Sequence, residues 1–263
     1  MQAWAVVYDP SLFTEDIYQK GLQLVDQESA IRIKKFYRRE DACRGLISRL
    51  LPRVLLKEKG IASNKMSFGT TSVGKPYITT PGIDPPLAYN ISHDNNLVVM
   101  AFAPGKTNPP SFSLGVDVMK VQMSSRQDTY TSFINIFQDQ LTPLERISLL
   151  SPTVSKEDGL KRFFWIWTLK EAYTKALGLG LGFDFSRVEF DIAADSVRVD
   201  GEVPLGWRFT KFEMRVIDGL NVGVVAEHIG DIATVVVSEN EPKEWLQSMT
   251  AVMFLERAIQ ELS

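Results

Sequence analysis

The sequence predicts an α+β protein in two parts, and three observations carry that expectation. Helix-compatible and strand-compatible segments occur in both halves of the 263 residues, with strands suited to mainly antiparallel sheets. The composition, 44% hydrophobic and 10% aromatic, is enough to bury a sizeable core. The segment Pro104 to Pro110, with three prolines and a glycine, is the one strong break near the middle. The expected parts are therefore 1–110 and 111–263.

In chain order, Ala3 to Tyr8 reads as an opening strand and Ser29 to Lys57 as a long helix or helical pair, interrupted or bent near Pro52. Met66 to Gly69 and Pro76 to Thr79 read as short strands flanking a loop that contains Gly74 and Lys75, and Leu97 to Ala103 as a stronger strand. Phe112 to Met119 is a further strand. Helices are expected at Thr129 to Gln138, from Pro143 with Thr142 as its N-cap, and from about Lys161 to Gly178, where glycine ends the helix. Arg187 to Phe190, Ser196 to Val199, Trp207 to Glu213, Asn221 to Ala226 and Ile232 to Val237 are strand-like. Leu246 to Leu262 reads as one amphipathic helix, a packed lid. No internal repeat stands out.

A net charge of −3 argues against a nucleic acid as main partner, because neutralising phosphates needs a broad excess of Lys and Arg. Any basic site must be local, and one candidate exists: Ser29 to Lys59 holds ten basic residues against three acidic ones. Most of these suit a solvated helix face, while Arg32 and Arg44, with Lys75, are placed to reach an anion. Cys43 is the only cysteine, which leaves no internal disulfide framework and fits a reducing, cytoplasmic compartment. No run approaches the roughly 20 apolar residues of a membrane helix, and no signal peptide is expected at the N-terminus.

The segment Phe163 to Leu177 is apolar around most of its helical circumference, so charges in it need a reason. Glu171 and Lys175 stand four residues apart, about 40° around a helix and one turn along it. They are either an ordinary helix pair or a carboxylate and a cation held under aromatic walls, an arrangement suited to a metal or a base beside phosphate. In the strand Leu114 to Met119, alternation places Asp117 with Gly115 and Met119, facing away from the expected core. Asp117 is then a solvated carboxylate or a Mg²⁺ ligand. Asn90-Ile91-Ser92-His93-Asp94-Asn95 reads as a polar loop able to bond an anion, with Asp94 as a further hard oxygen donor. Gly178 to Gly182 follows a helix, the wrong context for a dinucleotide fingerprint, and no P-loop is present.

Taken in order, five elements resemble the Sfp-type 4′-phosphopantetheinyl transferases of the holo-acyl-carrier-protein synthase superfamily. They are Phe36-Tyr37 with Glu40-Asp41-Ala42 and Arg44; Gly74-Lys75-Pro76; Asn90-Ile91-Ser92-His93; Gly115-Val116-Asp117; and Trp167 to Lys175. The resemblance implies two similar α/β subdomains related by a pseudo-twofold, with coenzyme A in the cleft between them. The implied reaction moves the phosphopantetheine arm of coenzyme A to a serine of an apo carrier protein. By position, Arg32, Arg44, Lys75, Ser92, His93, Lys170 and Lys175 resemble coenzyme A contacts, Asp117 and Glu171 resemble Mg²⁺ ligands, and Glu171, Lys175 and Asp117 the catalytic group. Where many bacterial members carry a second acidic residue after the aspartate, this chain has Met119, as the longer human-type cytosolic enzymes also do, and Asp94 is the expected substitute ligand. A monomer is expected, since two halves in one chain already build the cleft. The rival reading is a coenzyme A or acyl-CoA binding protein without chemistry.

Overall fold

The computed structural model describes residues 1–105, 113–123, 129–179, 182–238 and 244–263. The chain packs into two compact units. Unit 1 comprises Met1–Thr71, Pro76–Phe112 and Glu244–Ser263; unit 2 comprises Ser72–Lys75 and Ser113–Lys243. The expected boundary at 110 falls outside the described residues, as do Gly180 and Leu181.

Unit 1 is built on a four-stranded sheet in the order β12-β1-β5-β4, from β1 (Gln2–Val7), β4 (Leu87–Asp94), β5 (Leu97–Pro104) and β12 (Leu246–Thr250). Alternation sends Trp4 and Val6, Leu87 and Tyr89, and Val98, Met100 and Phe102 into one apolar cluster. Helices α1 (Glu15–Leu22), α2 (Gln27–Lys34), α3 (Arg39–Glu58) and α7 (Ala251–Leu262) contribute Leu22, Ile33, Leu46, Leu50 and Phe254 to it. A hairpin of β2 (Phe68–Thr70) and β3 (Pro76–Ile78) stands apart from the main sheet.

Three expectations change here. The break in the basic stretch lies between Lys34 and Arg39, and Pro52 sits inside an unbroken α3. Proline costs a helix interior about 3 kcal/mol, but Leu50, Leu51, Val54 and Leu55 around it are almost wholly buried, and their packing outweighs that cost. Leu246 to Leu262 is a strand followed by a helix, with the Thr250 side chain capping α7. Because β12 pairs in parallel with β1, these last residues belong to unit 1, not to a part running from 111 to 263. The polar segment Asn90 to Asp94 is strand β4, paired residue by residue with β5.

Unit 2 has its own four-stranded sheet, β11-β9-β10-β6, from β6 (Leu114–Lys120), β9 (Trp207–Val216), β10 (Gly219–His228) and β11 (Val235–Ser238). Helices α4 (Tyr130–Ile136), α5 (Pro143–Leu149) and α6 (Lys156–Leu177) precede the hairpin of β7 (Val188–Asp191) and β8 (Ser196–Val199). The two units are similar. Each runs strand, helices, then an antiparallel hairpin whose second strand sits centrally beside the first strand, as β1-β5-β4 and β6-β10-β9. The fourth strand joins at different edges, beside β1 in unit 1 and beside β9 in unit 2. Among the described residues no helix is long and apolar enough to cross a membrane.

Helix α6 begins at Lys156, earlier than the aromatic run suggests, because Ser155 caps it by accepting from the Asp158 N–H at 3.0 Å. It lies on β6 and β10, and the approach to β6 is close. A Cβ placed on Gly115 would stand 2.1 Å from the Ala172 carbonyl oxygen and 2.5 Å from the Ala176 nitrogen. This also reverses the expected orientation of Asp117. Gly115, Asp117 and Met119 are paired with Ala226, Val224 and Val222, which belong to the core under α6, so Asp117 faces that core and is only 4% exposed.

Beneath α6 lies a buried ion pair. Lys170 Nζ is 2.7 Å from Glu145 Oε2 and donates also to the carbonyls of Gln140 (2.7 Å) and Phe185 (3.0 Å). Glu145 in turn accepts from the N–H groups of Thr142 and Phe190, tying α5, α6 and β7 together. Burial pushes the Glu145 carboxyl up and the Lys170 ammonium down, and each charge is held by the other. With all three ammonium donors used and its side chain 1% exposed, Lys170 is a framework residue and not the coenzyme A contact that its motif position implied.

Lys170→Met is therefore expected to cost about 3–5 kcal/mol in urea unfolding, and the double change Glu145→Gln with Lys170→Met clearly less, since no lone buried charge remains. Equal stability of the single variant and the parent would contradict this role. Gly115→Ala is expected to lower stability by about 1–3 kcal/mol, because β6 and α6 must separate to admit a methyl group; unchanged unfolding would show that the approach is not tight.

Candidate active site

The close approach of β6 to α6 puts a strand carboxylate against the polar stripe of an otherwise apolar helix. Lys175 Nζ is 2.6 Å from Asp117 Oδ1. One turn back along α6, the Glu171 carboxyl is half-buried and pushed above the usual carboxylate range, first by burial and then by the negative charge of Asp117, while Lys175 pulls it down. Two carboxylates and one ammonium thus share a poorly solvated place.

Beside them opens a cavity of about 480 Å³, lined by Glu171 and Lys175 with Trp167, Thr174, Phe183 and Phe185 among its walls. Its aromatic side is organised by ring contacts: Trp167 meets Phe185 edge-on at 5.3 Å between centroids and stacks on Phe163 at 5.9 Å. The buried Lys170 holds the Phe185 carbonyl, so the ion pair below fixes one wall of this cavity.

Helix α6 ends in a Schellman turn. The Leu179 N–H donates to the Thr174 carbonyl, the Gly178 N–H to that of Lys175, and Gly178 takes φ +70°, a conformation open to glycine. The Lys75 amine, on a segment that packs with unit 2, donates to the Ala176 carbonyl at 2.8 Å and the Leu114 carbonyl at 3.1 Å. Burial lowers its pKa to about 8.

Unit 2 accordingly gathers Asp117, Glu171, Lys175 and Lys75. Apart from the buried Lys170, also of unit 2, the remaining expected residues lie in unit 1. Ser92 and Asp94 are on β4, buried and half-buried, with His93 exposed between them. Arg44, on α3, pairs with Asp41 and donates to the Asn95 carbonyl at 2.5 Å. Arg32, on α2, is exposed and pairs with Glu28.

Among the described residues no group of three or more His, Cys, Asp or Glu side chains stands ready to hold a metal ion. The donor set in unit 2 is Asp117 with Glu171. That pair fits a hard divalent cation, which commonly takes one or two protein carboxylates and completes its shell with water and substrate phosphate. A cation there would offset both the burial of the Glu171 carboxylate, the larger cause of its raised pKa, and its repulsion by Asp117.

Sequence reasoning missed Glu145, Phe183 and Phe185. Glu145 did carry a signal, as the N3 residue of the capping box that Thr142 opens, but nothing in that pattern pairs it with Lys170; Phe183 and Phe185 belong to no charge or spacing pattern, and their roles come from contacts made across the fold. Gly115 did carry a signal, since an interior strand glycine marks a close backbone approach.

Comparison with known proteins bears on all of this. Residues 113–225 match the model of the 4′-phosphopantetheinyl transferase superfamily, and residues 13–105 match that of the 4′-phosphopantetheinyl transferase N-terminal domain. The chain is 46% identical over 266 residues to a 4′-phosphopantetheinyl transferase, pptA, of Paxillus involutus, covering all of both chains. It is 31% identical over 243 residues to a phosphopantetheinyl transferase of Thraustochytrium sp., covering 87% of this chain and 79% of the relative. Human L-aminoadipate-semialdehyde dehydrogenase-phosphopantetheinyl transferase is 29% identical over 203 residues, covering 72% and 63%. A non-catalytic coenzyme A binder is not favoured, since these relatives are named as transferases. With both halves matched and a relative alike from end to end, the chain belongs to the 4′-phosphopantetheinyl transferases, enzymes that move the phosphopantetheine group of coenzyme A onto carrier proteins.

Proposed function

We propose that Asp117, Glu171 and Lys175 carry the transfer step. A serine hydroxyl of the carrier attacks the β-phosphorus of coenzyme A; the new P–O bond forms as the bond to the leaving adenosine 3′,5′-bisphosphate breaks. The serine proton passes to Glu171, directly or through water. The observation that carries this is placement: the half-buried Glu171 stands one turn from Lys175 on α6, beside the Lys175–Asp117 pair and on the wall of the same cavity. Lys175 offsets charge on the departing phosphate, and its pairing with Asp117 holds the ammonium on the side of α6 that Glu171 shares. Mg²⁺, held by Asp117 and Glu171, would supply charge neutralisation at the pyrophosphate.

The cavity beside Glu171, with Trp167, Phe183 and Phe185 in its walls, gives room for a substrate group next to these residues. We assign coenzyme A recognition in unit 1 to Arg32, Arg44, Ser92 and His93, which supply the cationic and hydrogen-bonding groups that suit its phosphates. The relatives' names point to the carrier domain of an aminoadipate-semialdehyde dehydrogenase as one acceptor, and a fatty acid synthase carrier as another. We place the carrier-docking surface in the neighbourhood of Val121 to Phe137, of which residues 124–128 lie outside the described residues. We assign a cytoplasmic enzyme that works as a monomer, a state that sedimentation would test.

Incubating the protein with coenzyme A, Mg²⁺ and an apo carrier is expected to add the mass of one phosphopantetheine group to the carrier. Glu171→Gln is expected to slow transfer by about a hundred- to ten-thousandfold, and Lys175→Ala by about a hundred- to a thousandfold, with folding intact by circular dichroism. Near-normal turnover in either variant would remove that residue from the mechanism. The place expected for Asp94 is tested by metal titration: Asp94→Asn should raise the Mg²⁺ needed for half-maximal rate, and an unchanged requirement excludes it from the ligand set.

A further inference from the structure

The resemblance assigns Lys75 to coenzyme A, yet its amine is turned into the protein. It donates to the carbonyl of Ala176, in the last turn of α6, and to that of Leu114, the first residue of β6. These are the two elements that carry the proposed catalytic groups.

We propose that Lys75 is a positioning residue, a clamp that joins the C-terminal turn of α6 to the start of β6 and so sets the placement of Asp117 against Glu171 and Lys175.

The geometry suits such a clamp. The final carbonyls of a helix have no intrahelical donor. The Schellman turn satisfies those of Thr174 and Lys175 through Leu179 and Gly178, and Lys75 takes that of Ala176. A cation at this end of the helix also lies where the aligned peptide dipoles favour positive charge. The stem of Lys75 runs over Gly178, where a Cβ would stand 3.3 Å from Lys75 Cδ. Only Lys75 and the three residues before it leave their surroundings in sequence to pack with unit 2. Ala176 is five residues from Glu171, about 7.5 Å along the helix axis, and Leu114 is three residues from Asp117, about 10 Å along the strand. Both are short lever arms on stiff elements, so a shift at the clamp is transmitted to the carboxylates. Gly115 makes the transmission direct, because α6 and β6 touch there through backbone atoms.

Two roles are thereby distinguished. A phosphate contact would govern coenzyme A affinity. A clamp governs the geometry of the metal-binding and proton-accepting groups while leaving coenzyme A binding nearly intact.

Lys75→Met and Lys75→Gln test this, with the maximal transfer rate, the Mg²⁺ for half-maximal rate, and the Kd of coenzyme A in metal-free buffer measured for each. For Lys75→Met the expected result is a fall of about ten- to a hundredfold in kcat, a raised Mg²⁺ requirement and a coenzyme A Kd within about twofold of the parent; Lys75→Gln, which keeps an N–H donor group on a shorter arm, falls between. A weakened Kd with kcat preserved at saturation overturns the proposal in favour of a phosphate contact. A lower melting temperature with kcat and Mg²⁺ requirement unchanged overturns it in favour of packing alone. A third measurement needs no variant and no activity, so it stands apart from the transfer assay: acetylation of lysines in the parent protein, read by mass spectrometry. Lys75 is expected to be protected with and without coenzyme A. Reactivity in the free protein, whether or not coenzyme A then protects it, overturns the clamp.

Discussion

Strand β6 lies against α6 at a separation that only a glycine at position 115 allows, and the site follows from that contact. Were the strand displaced by the width of a methyl group, Lys175 would lose its 2.6 Å approach to Asp117, and Glu171 would be freed from the neighbouring charge that raises its pKa. The contact is backbone against backbone, so it has little compliance. Around it the chain has placed further constraints: β10 pairs with β6 along its length, the Schellman turn closes the end of the helix, and the Lys75 amine spans the gap at one end.

The same helix carries two lysine–carboxylate pairs that differ in kind. Lys170 and Lys175 are five residues apart, about 140° around the helix axis. One points into the core, where its side chain is 1% exposed and every donor is bonded; the other is 30% exposed and borders a cavity. Exposure decides what each pair can do. A closed pair holds three elements in place and has no room for a ligand, whereas an open one can exchange partners when a phosphate or a metal ion arrives. The closed pair still serves the site, since Lys170 holds the Phe185 carbonyl at the cavity wall.

Local charge in unit 1 is moderated by local partners. Of the many basic residues from Ser29 to Lys59, Arg32 pairs with Glu28, Arg39 with Glu15, Arg44 with Asp41 and Arg53 with Asp26. Such exposed or half-exposed pairs add little stability. They hold guanidinium groups in place within a chain that is acidic overall.

By itself the sequence determined the α+β class and most of the elements, and it singled out the three residues proposed for the transfer step. The capping signals at Thr142 and Gly178, the apolar run of β5 and the motif around Glu171 and Lys175 are local, and local patterns survive folding. What it left to the tertiary structure depended on pairing between distant segments. Residues 246–250 become a strand only because β1 offers them a parallel edge, and that pairing returns the C-terminus to unit 1. Asn90 to Asp94 join a strand because β5 supplies hydrogen bonds that their polar composition does not advertise. The face to which Asp117 turns, the partner of Lys170 and the carbonyls that Lys75 reaches were likewise decided by what each side chain meets across the fold. Alternation and spacing specify which residues share a face; only packing specifies which face is covered and by what.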